Sequence, residues 1–311
     1  MAANEPGGEG AQRPKRAIGT RAAVFCVFVL LYSLTPLGAR FWRQAFADSG
    51  FTDRAENTPF ALMRVHVLDV GKADAILLES QGRYALLDAG TYVEGAYVAD
   101  YLARQGVTNL DYILASHPDN DHIGGMVQVM EEFPTAAFLR GEGWEEPGQE
   151  AQDLLRYLEA EGIPQRVLSP GDTLPLGHGE LAVLGPLYPY EDTNNGSLVL
   201  KLTCFQFSAL FCGDIEKEAE QDLLDSGQDL SANLLKAAHH GSRTSSTEDF
   251  LAAVSPQLAV VPVGPDNNNL PRPQALSRLE AAGARILRTD LDGDILFSYD
   301  GEHIGIKTAK K

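Results

Sequence analysis

Between Ser116 and Gly125 the sequence reads SHPDNDHIGG, and within six of those residues stand His117, Asp119, Asp121 and His122. Histidine and aspartate are poor helix formers, so a run this dense costs local structure. Pro118 disfavours a helical conformation at His117, and the segment is expected to be loop there. In an extended loop, alternate positions 117, 119 and 121 turn their side chains one way, and His122 adds another ligand beside them. Gly124 and Gly125 let the backbone pass close to a neighbour. A mixed imidazole and carboxylate set suits zinc, manganese or iron. A calcium loop of the EF-hand type does not fit. Counted from Asp119, its fifth position is Ile123 and its twelfth Met130, where oxygen ligands are required.

Read alone, such a run is most simply a solvated turn. Its company sets it apart. The apolar run YALLD ends at Asp88, DYILASH at His117, ALFCGD at Asp214, and NLLKAAHH at His239 and His240. Ends of buried strands that share one sheet edge can assemble a site from distant sequence.

The elements that must position these groups are legible in outline. LMRVHVLDVG, ADAILLES and RYALLDAG read as strands at hairpin spacing, and LDYILAS as a short buried strand. SLVLKLTCF and ALFCGD read as a hairpin, and NLLKAAHH, QLAVVPVG, ARILRTD and DILFSYD as later strands. Helices are expected over Glu94–Arg104, Gly125–Glu132, Gln149–Glu161, Glu216–Leu224, Thr247–Ala253 and Pro273–Ala282. The Asp-Gly of TDLDGDILF reads as a hairpin turn rather than a calcium loop. Strands first, then strands mixed with helices, suggest helices outside two sheets.

The formal net charge of −18 repels nucleic acid at long range and argues against a DNA-coating role. It leaves room for an enzyme that meets phosphates only at a metal centre. Cys26, Cys204 and Cys212 form no CxxC, so a thiolate zinc site is not expected, and they read as buried apolar residues. Residues 1–21 form a polar tail that carries Arg13, Lys15, Arg16 and Arg21, and residues 22–39 run without a charge. That stretch is near the lower length limit for a membrane span. It reads as a transmembrane anchor or, if cleaved, a signal segment, with the tail cytoplasmic and the rest of the chain outside the cytoplasm. Residues 40–58 read as a linker and 59–311 as one hydrolase-like domain.

LDVGKADAILLE, LLDAG, SHPDNDHIGG, NNGSLVLKL, FCGDIEKEAEQDLL and AAHHGSRTSS follow one another in this order. Over roughly residues 60–300 the chain resembles the metallo-β-lactamase-like domain of ComEC-type competence proteins. The resemblance implies an α/β fold, a four-layer αββα sandwich with a two-metal site along one edge. It implies hydrolysis of phosphodiesters, with DNA the substrate proposed for the competence domain. Carried over by position, His117 and Asp119 look like ligands of one metal, and Asp121 and His122 of the second. Asp214 resembles the bridging aspartate, and His239 or His240 completes the second site. Asp88 resembles the buried aspartate that orients the metal loop. Asn195 and Ser197 stand near the place of a missing third-motif histidine, as in ComEC relatives.

Two departures stand out. The usual LDVGQGD is LDVGKAD here, with Lys72 and Ala73, and the usual downstream HP is LP, with Leu270. The first metal is left with few protein ligands, and a residue that could protonate the leaving group is missing. The implied cofactors are two divalent ions, manganese or zinc, with Asp119 in place of an imidazole tilting the site towards manganese. Two such ions about 3.5–4 Å apart activate a shared water and clamp attacking and leaving oxygens. Asp121 and Asp214 are then the candidate catalytic carboxylates. Ser242, Arg243 and Ser245 are candidate substrate contacts, because Ser245 to Glu248 fits a capping box whose helix N-terminus would face anions. An ordinary helix cap is the simpler reading of that segment, and Lys72 is a further candidate phosphate contact.

The first functional reading is an extracytoplasmic nuclease, held to the membrane through residues 22–39. One span at most forms no DNA channel, so transport would need separate DNA-uptake or envelope proteins as partners. The second is a phosphodiesterase on cell-envelope polymers such as phosphorylcholine-bearing teichoic acid. The third is a metal-binding relative without catalysis, as Leu270 permits.

Overall fold

The structure, a computed structural model, describes residues 61–144, 148–265 and 269–310. The tail at 1–21, the apolar segment at 22–39 with Cys26, and the linker at 40–58 lie outside these residues. Among the described residues no helix is long and apolar enough to cross a membrane.

Two sheets carry the fold. One has eight strands: β1 (Met63–Val67), β2 (Ala75–Ser80), β3 (Arg83–Ala89), β4 (Tyr112–Ala115), β5 (Phe138–Arg140), β6 (Gln165–Val167), β14 (Ile295–Tyr299) and β15 (Ile304–Thr308), in the order 15-14-1-2-3-4-5-6. The other has seven: β7 (Thr173–Leu176), β8 (Gly179–Gly185), β9 (Val199–Cys204), β10 (Phe207–Phe211), β11 (Leu234–Lys236), β12 (Leu258–Val261) and β13 (Arg285–Arg288), in the order 13-12-11-10-9-8-7.

Side-chain alternation explains the layering. Val65, Ile76, Leu78, Leu87 and Leu114 meet Leu200, Leu202, Ala209, Phe211 and Val260 in a core between the sheets. The alternate residues Leu77, Leu86 and Ile113 turn to the opposite face. There they pack on α1 (Gly95–Arg104), α3 (Met126–Glu132) and α4 (Gln149–Ala160). On the second sheet, Leu210, Leu235 and Ala259 turn outward onto α5 (Lys217–Asp225), α6 (Glu248–Val254) and α7 (Pro273–Ala281). Strands buried on both faces read as continuous apolar runs, which is why the alternation is invisible in the sequence. The layers are helices, sheet, sheet, helices, as the resemblance implies.

Each sheet turns parallel on its helix-crossed side. Strands β3 to β6 are parallel neighbours, and so are β10 to β13. In such sheets ligands bind beyond the carboxyl ends of the strands. Asp88 lies near the carboxyl end of β3. The 116–122 run follows β4, Asp214 follows β10, and the histidine pair follows β11.

One local expectation is corrected. TDLDGDILF is not a hairpin turn. β13 and β14 belong to different sheets, so the chain crosses between them through the one-turn helix α8 (Thr289–Asp292). Cys204 and Cys212 are buried and free, as expected. Phe297 is 1% exposed in the inter-sheet core. Truncation of such a side chain leaves a cavity, so Phe297→Ala should cost about 3–5 kcal/mol in denaturant-induced unfolding.

Candidate metal centre

The 116–122 run is not extended throughout. Pro118 blocks helix only before itself, and Asn120–Ile123 forms a single helical turn, α2. Asp121 and His122 therefore project from a helical turn rather than alternating with His117 and Asp119. The two glycines behave as expected. A Cβ on Gly125 would lie 2.2 Å from the Ala89 carbonyl oxygen, and one on Gly124 would lie 2.5 Å from the Tyr92 nitrogen. The loop is pressed against the turn that follows β3.

Backbone conformation is strained where the ligands sit. Asp88, His239 and His240 have φ of 57°, 50° and 49°. Non-glycine residues held in this left-handed region cost of the order of 1–3 kcal/mol each and cluster at functional sites.

The hydrogen bonds fix three imidazoles in one sense. The Asp88 carboxylate accepts from the Ser116 N–H at 2.8 Å, from the Ser116 hydroxyl at 2.7 Å, and from His122 Nδ1 at 2.9 Å. A carboxylate acceptor puts a proton on Nδ1 and turns His122 Nε2 inward as the nitrogen a metal would take. His240 Nδ1 lies 2.9 Å from the Pro262 carbonyl, which again can only accept. Ser116 has given its proton to Asp88, so its oxygen accepts from His117 Nδ1 at 3.1 Å. Nε2 of His117, His122 and His240 are all buried without a hydrogen-bond partner. Orphaned buried acceptors are costly, and three of them converging on carboxylates is the arrangement a cation would satisfy.

Two overlapping sets of donors result. His117, His122 and Asp214 form one, and Asp121, His122 and His240 the other, with donor atoms inside each set within 4.8 Å of one another. Asp214 Oδ1 lies 3.5 Å from His122 Nε2 and its Oδ2 lies 3.4 Å from His240 Nε2. The residues fit divalent-metal binding, and His122, with Nδ1 bonded to Asp88, offers one nitrogen to either set. Of the two adjacent histidines, His240 belongs to a set. His239 stands at the rim, its side chain 21% exposed, with Nδ1 3.2 Å from Glu216 and Nε2 3.9 Å from Asp214. Asp119 also belongs to neither set. Its side chain is 43% exposed, 3.7 Å from His117 Nε2, and it accepts a hydrogen bond from Thr193.

Charge is balanced inside the cluster. Burial would push the Asp214 carboxyl up, but His240, His122 and Lys236 outweigh it and hold it well below the usual carboxylate range. Burial acts the same way on Asp121, and His240, His122 and Lys72 likewise overcome it. Lys72 is salt-bridged to Asp121, so it serves a ligand rather than a substrate phosphate. Burial would lower His122, but Asp214 and Asp88 raise it well above its ordinary value.

Ser197 and Asn195 support the turn after β10. The Ser197 hydroxyl accepts the Asp214 N–H at 3.0 Å, and Asn195 Oδ1 accepts the Glu216 N–H at 2.9 Å at the start of α5. The expected substrate grip fails in part. Ser245 is fully buried, and the helix cap is Thr247 rather than Ser245. The N–H groups of Ser246 and Thr247 are taken by buried Glu220, so the anion position at that helix end is filled from inside. Ser242 bonds Thr244, and only Arg243 of the three is exposed. Sequence reasoning missed Asp74, Glu216 and Lys236. A lysine inside the apolar run NLLKAA was the available signal.

Residues 68–264 match the metallo-beta-lactamase superfamily. ComE operon protein 3 of Bacillus subtilis is 28% identical over 256 residues, covering 76% of this chain and 33% of that protein. Competence protein ComA of Neisseria gonorrhoeae is 30% identical over 277 residues, covering 88% and 37%. Recombination protein 2 of Haemophilus influenzae is 25% identical over 259 residues, covering 79% and 30%. The chain thus spans about a third of the length of these relatives. Among solved structures, a mutant of CmlA beta-hydroxylase superposes with a TM-score of 0.52 at 12% identity, covering 78% of this chain and 55% of that one, a likeness of fold.

Asp88→Asn removes one of the acceptor oxygens that orient Ser116 and His122. Manganese affinity measured by calorimetry should fall about 10–100-fold. Protons compete for the raised His122, so affinity should also fall as pH is lowered, and a flat profile would remove His122 from the ligand set.

Proposed function

This chain belongs to the metallo-β-lactamase superfamily, and from that premise we propose that it is a metal-dependent phosphodiesterase that cleaves DNA outside the cytoplasm. The observation that carries this reading is the convergence of three unpartnered imidazole nitrogens on Asp214 and Asp121. His117, His122 and Asp214 would hold one ion, and Asp121 and His240, with the second oxygen of Asp214, the other; His122 has only Nε2 to offer and would serve one ion. Bound there, the ions supply Lewis acidity and an activated water at neutral pH.

The chain's own residues do the rest. Asp88 and Ser116 keep His122 and His117 aimed inward, and the Pro262 carbonyl does so for His240. Lys72 offsets the charge of Asp121. The rim is open at Asp119 and His239, which is where a phosphodiester would arrive. Burial, partly offset by Asp214, lowers the His239 pKa and keeps the ring neutral. Leu270, where the family pattern has a histidine, packs against the apolar cluster beneath α5 to α7 and supplies no proton to the leaving group.

DNA as substrate is supported by two of the relatives, one named a competence protein and one a recombination protein. Attachment through residues 22–39 and a separate uptake partner complete the proposal. A second reading, an esterase on cell-envelope phosphodiesters, is favoured by the net charge of −18, which repels a long polyanion.

The full chain, loaded with manganese or zinc, should cleave single-stranded or duplex DNA as well as bis-p-nitrophenyl phosphate. Cleavage of the small ester without DNA would replace the nuclease reading with the envelope one. Inactivity on all substrates with metal bound would make the chain a non-catalytic relative. Asp121→Asn should abolish either activity.

A further inference from the structure

Lys236 closes β11 and is 1% exposed. Its Nζ lies 2.6 Å from Asp74 Oδ2, donates to the Gly213 carbonyl at 2.7 Å, and lies 3.3 Å from Asp214 Oδ1. Asp74, also 1% exposed, sits just ahead of β2. The two residues come from different sheets, so the pair crosses the sandwich beneath the centre.

Asp74 is tied further by its backbone. Its N–H donates to the Asp121 carbonyl at 3.1 Å, and its carbonyl accepts from the Gly90 N–H at 2.7 Å. One residue thus holds the turn that bears Asp121 and the turn that follows Asp88. Through Lys236 it also holds Gly213 and Asp214. Asp74, Asp88 and His122 form a third set of donor atoms within 4.8 Å of one another, and there the Lys236 ammonium already lies against Asp74. Burial would lower the ammonium pKa, but Asp74 and Asp214 outweigh it and raise it, so the charge is fixed.

A buried ion pair contributes little net stability, because removing both charges from water offsets their attraction. The effect of this pair is therefore sought in geometry. We propose that Asp74 and Lys236 are positioning residues, a carboxylate–ammonium strut across the two sheets that sets Asp121 and Asp214 relative to each other. The strut holds Asp214 Oδ1, so that Oδ2 is the oxygen turned to His240. The inference rests on the metal-centre reading but not on the identity of the substrate.

The test compares the full-length wild-type chain with Asp74→Asn, Lys236→Met and the double variant. Manganese affinity is measured by calorimetry and metal-free stability by thermal unfolding. Each single change leaves a buried charge without its partner and should lower Tm. The double variant removes the Asp74–Lys236 pair and should recover part of the Tm lost in the single variants, since Asp214 keeps His122 and His240 beside it, yet bind manganese about 10–100-fold more weakly than wild type. Wild-type affinity in the double variant would overturn the strut and leave the centre itself intact. Failure of the wild-type chain to bind manganese would overturn the metal-centre reading, and the strut with it. Should the double variant fail to fold, Asp74→Asn carries the test through the same drop in affinity, and unchanged affinity there would equally overturn the proposal.

Discussion

The centre depends on where three imidazole protons sit. Each ring has its Nδ1 committed to an acceptor that has no proton to give: the Asp88 carboxylate, the Pro262 carbonyl, or a serine oxygen whose hydrogen is already spent on Asp88. With those protons placed, all three Nε2 atoms turn inward, and at His122 an incoming ion must displace the second proton that Asp214 and Asp88 favour. Asp88 controls two of the rings at once, one directly and one through Ser116. The unusual backbone at Asp88 is the cost of aiming that carboxylate across the end of β3 at the neighbouring loop.

The fold supplies what this arrangement needs. Parallel strands deliver several chain ends to one edge, and the two-sheet sandwich does so from both sides. Ligands 117–122 come from one sheet, and Asp214 and His240 from the other. Neither sheet alone can assemble either donor set. The inter-sheet core, by fixing the spacing of the sheets, also fixes the separation of the ligands.

Much of the centre was legible in the sequence because the chemistry is concentrated in short runs. SHPDNDHIGG, CGD and HHG sit at the ends of apolar strands, and those ends converge as expected. What escaped notice had weaker local signals. β6 is exposed throughout, and β15 is only partly buried, so neither announces itself by an apolar run. The helical turn at 120–123 was hidden by the proline before it, whose restriction does not extend forward. Ser245 looked like an anion-facing cap because its spacing to Glu248 is right. Glu220, distant in sequence, took the amides instead. Asp74 and Lys236 carry no motif of their own, and their meaning lies in a contact between sheets that no local window contains.

The register of the second sheet has a consequence for folding. Lys236 pairs with Phe211 on one side and Val260 on the other. A shift of one residue would swing Lys236 to the opposite face and displace the histidine pair that follows it. A chain folded with a slipped β11 would hold no weaker version of the centre; it would hold none. A divalent ion that binds only the complete centre then favours the one correct strand alignment by mass action. An ion bound there would thus report on the alignment of the sheet independently of any substrate.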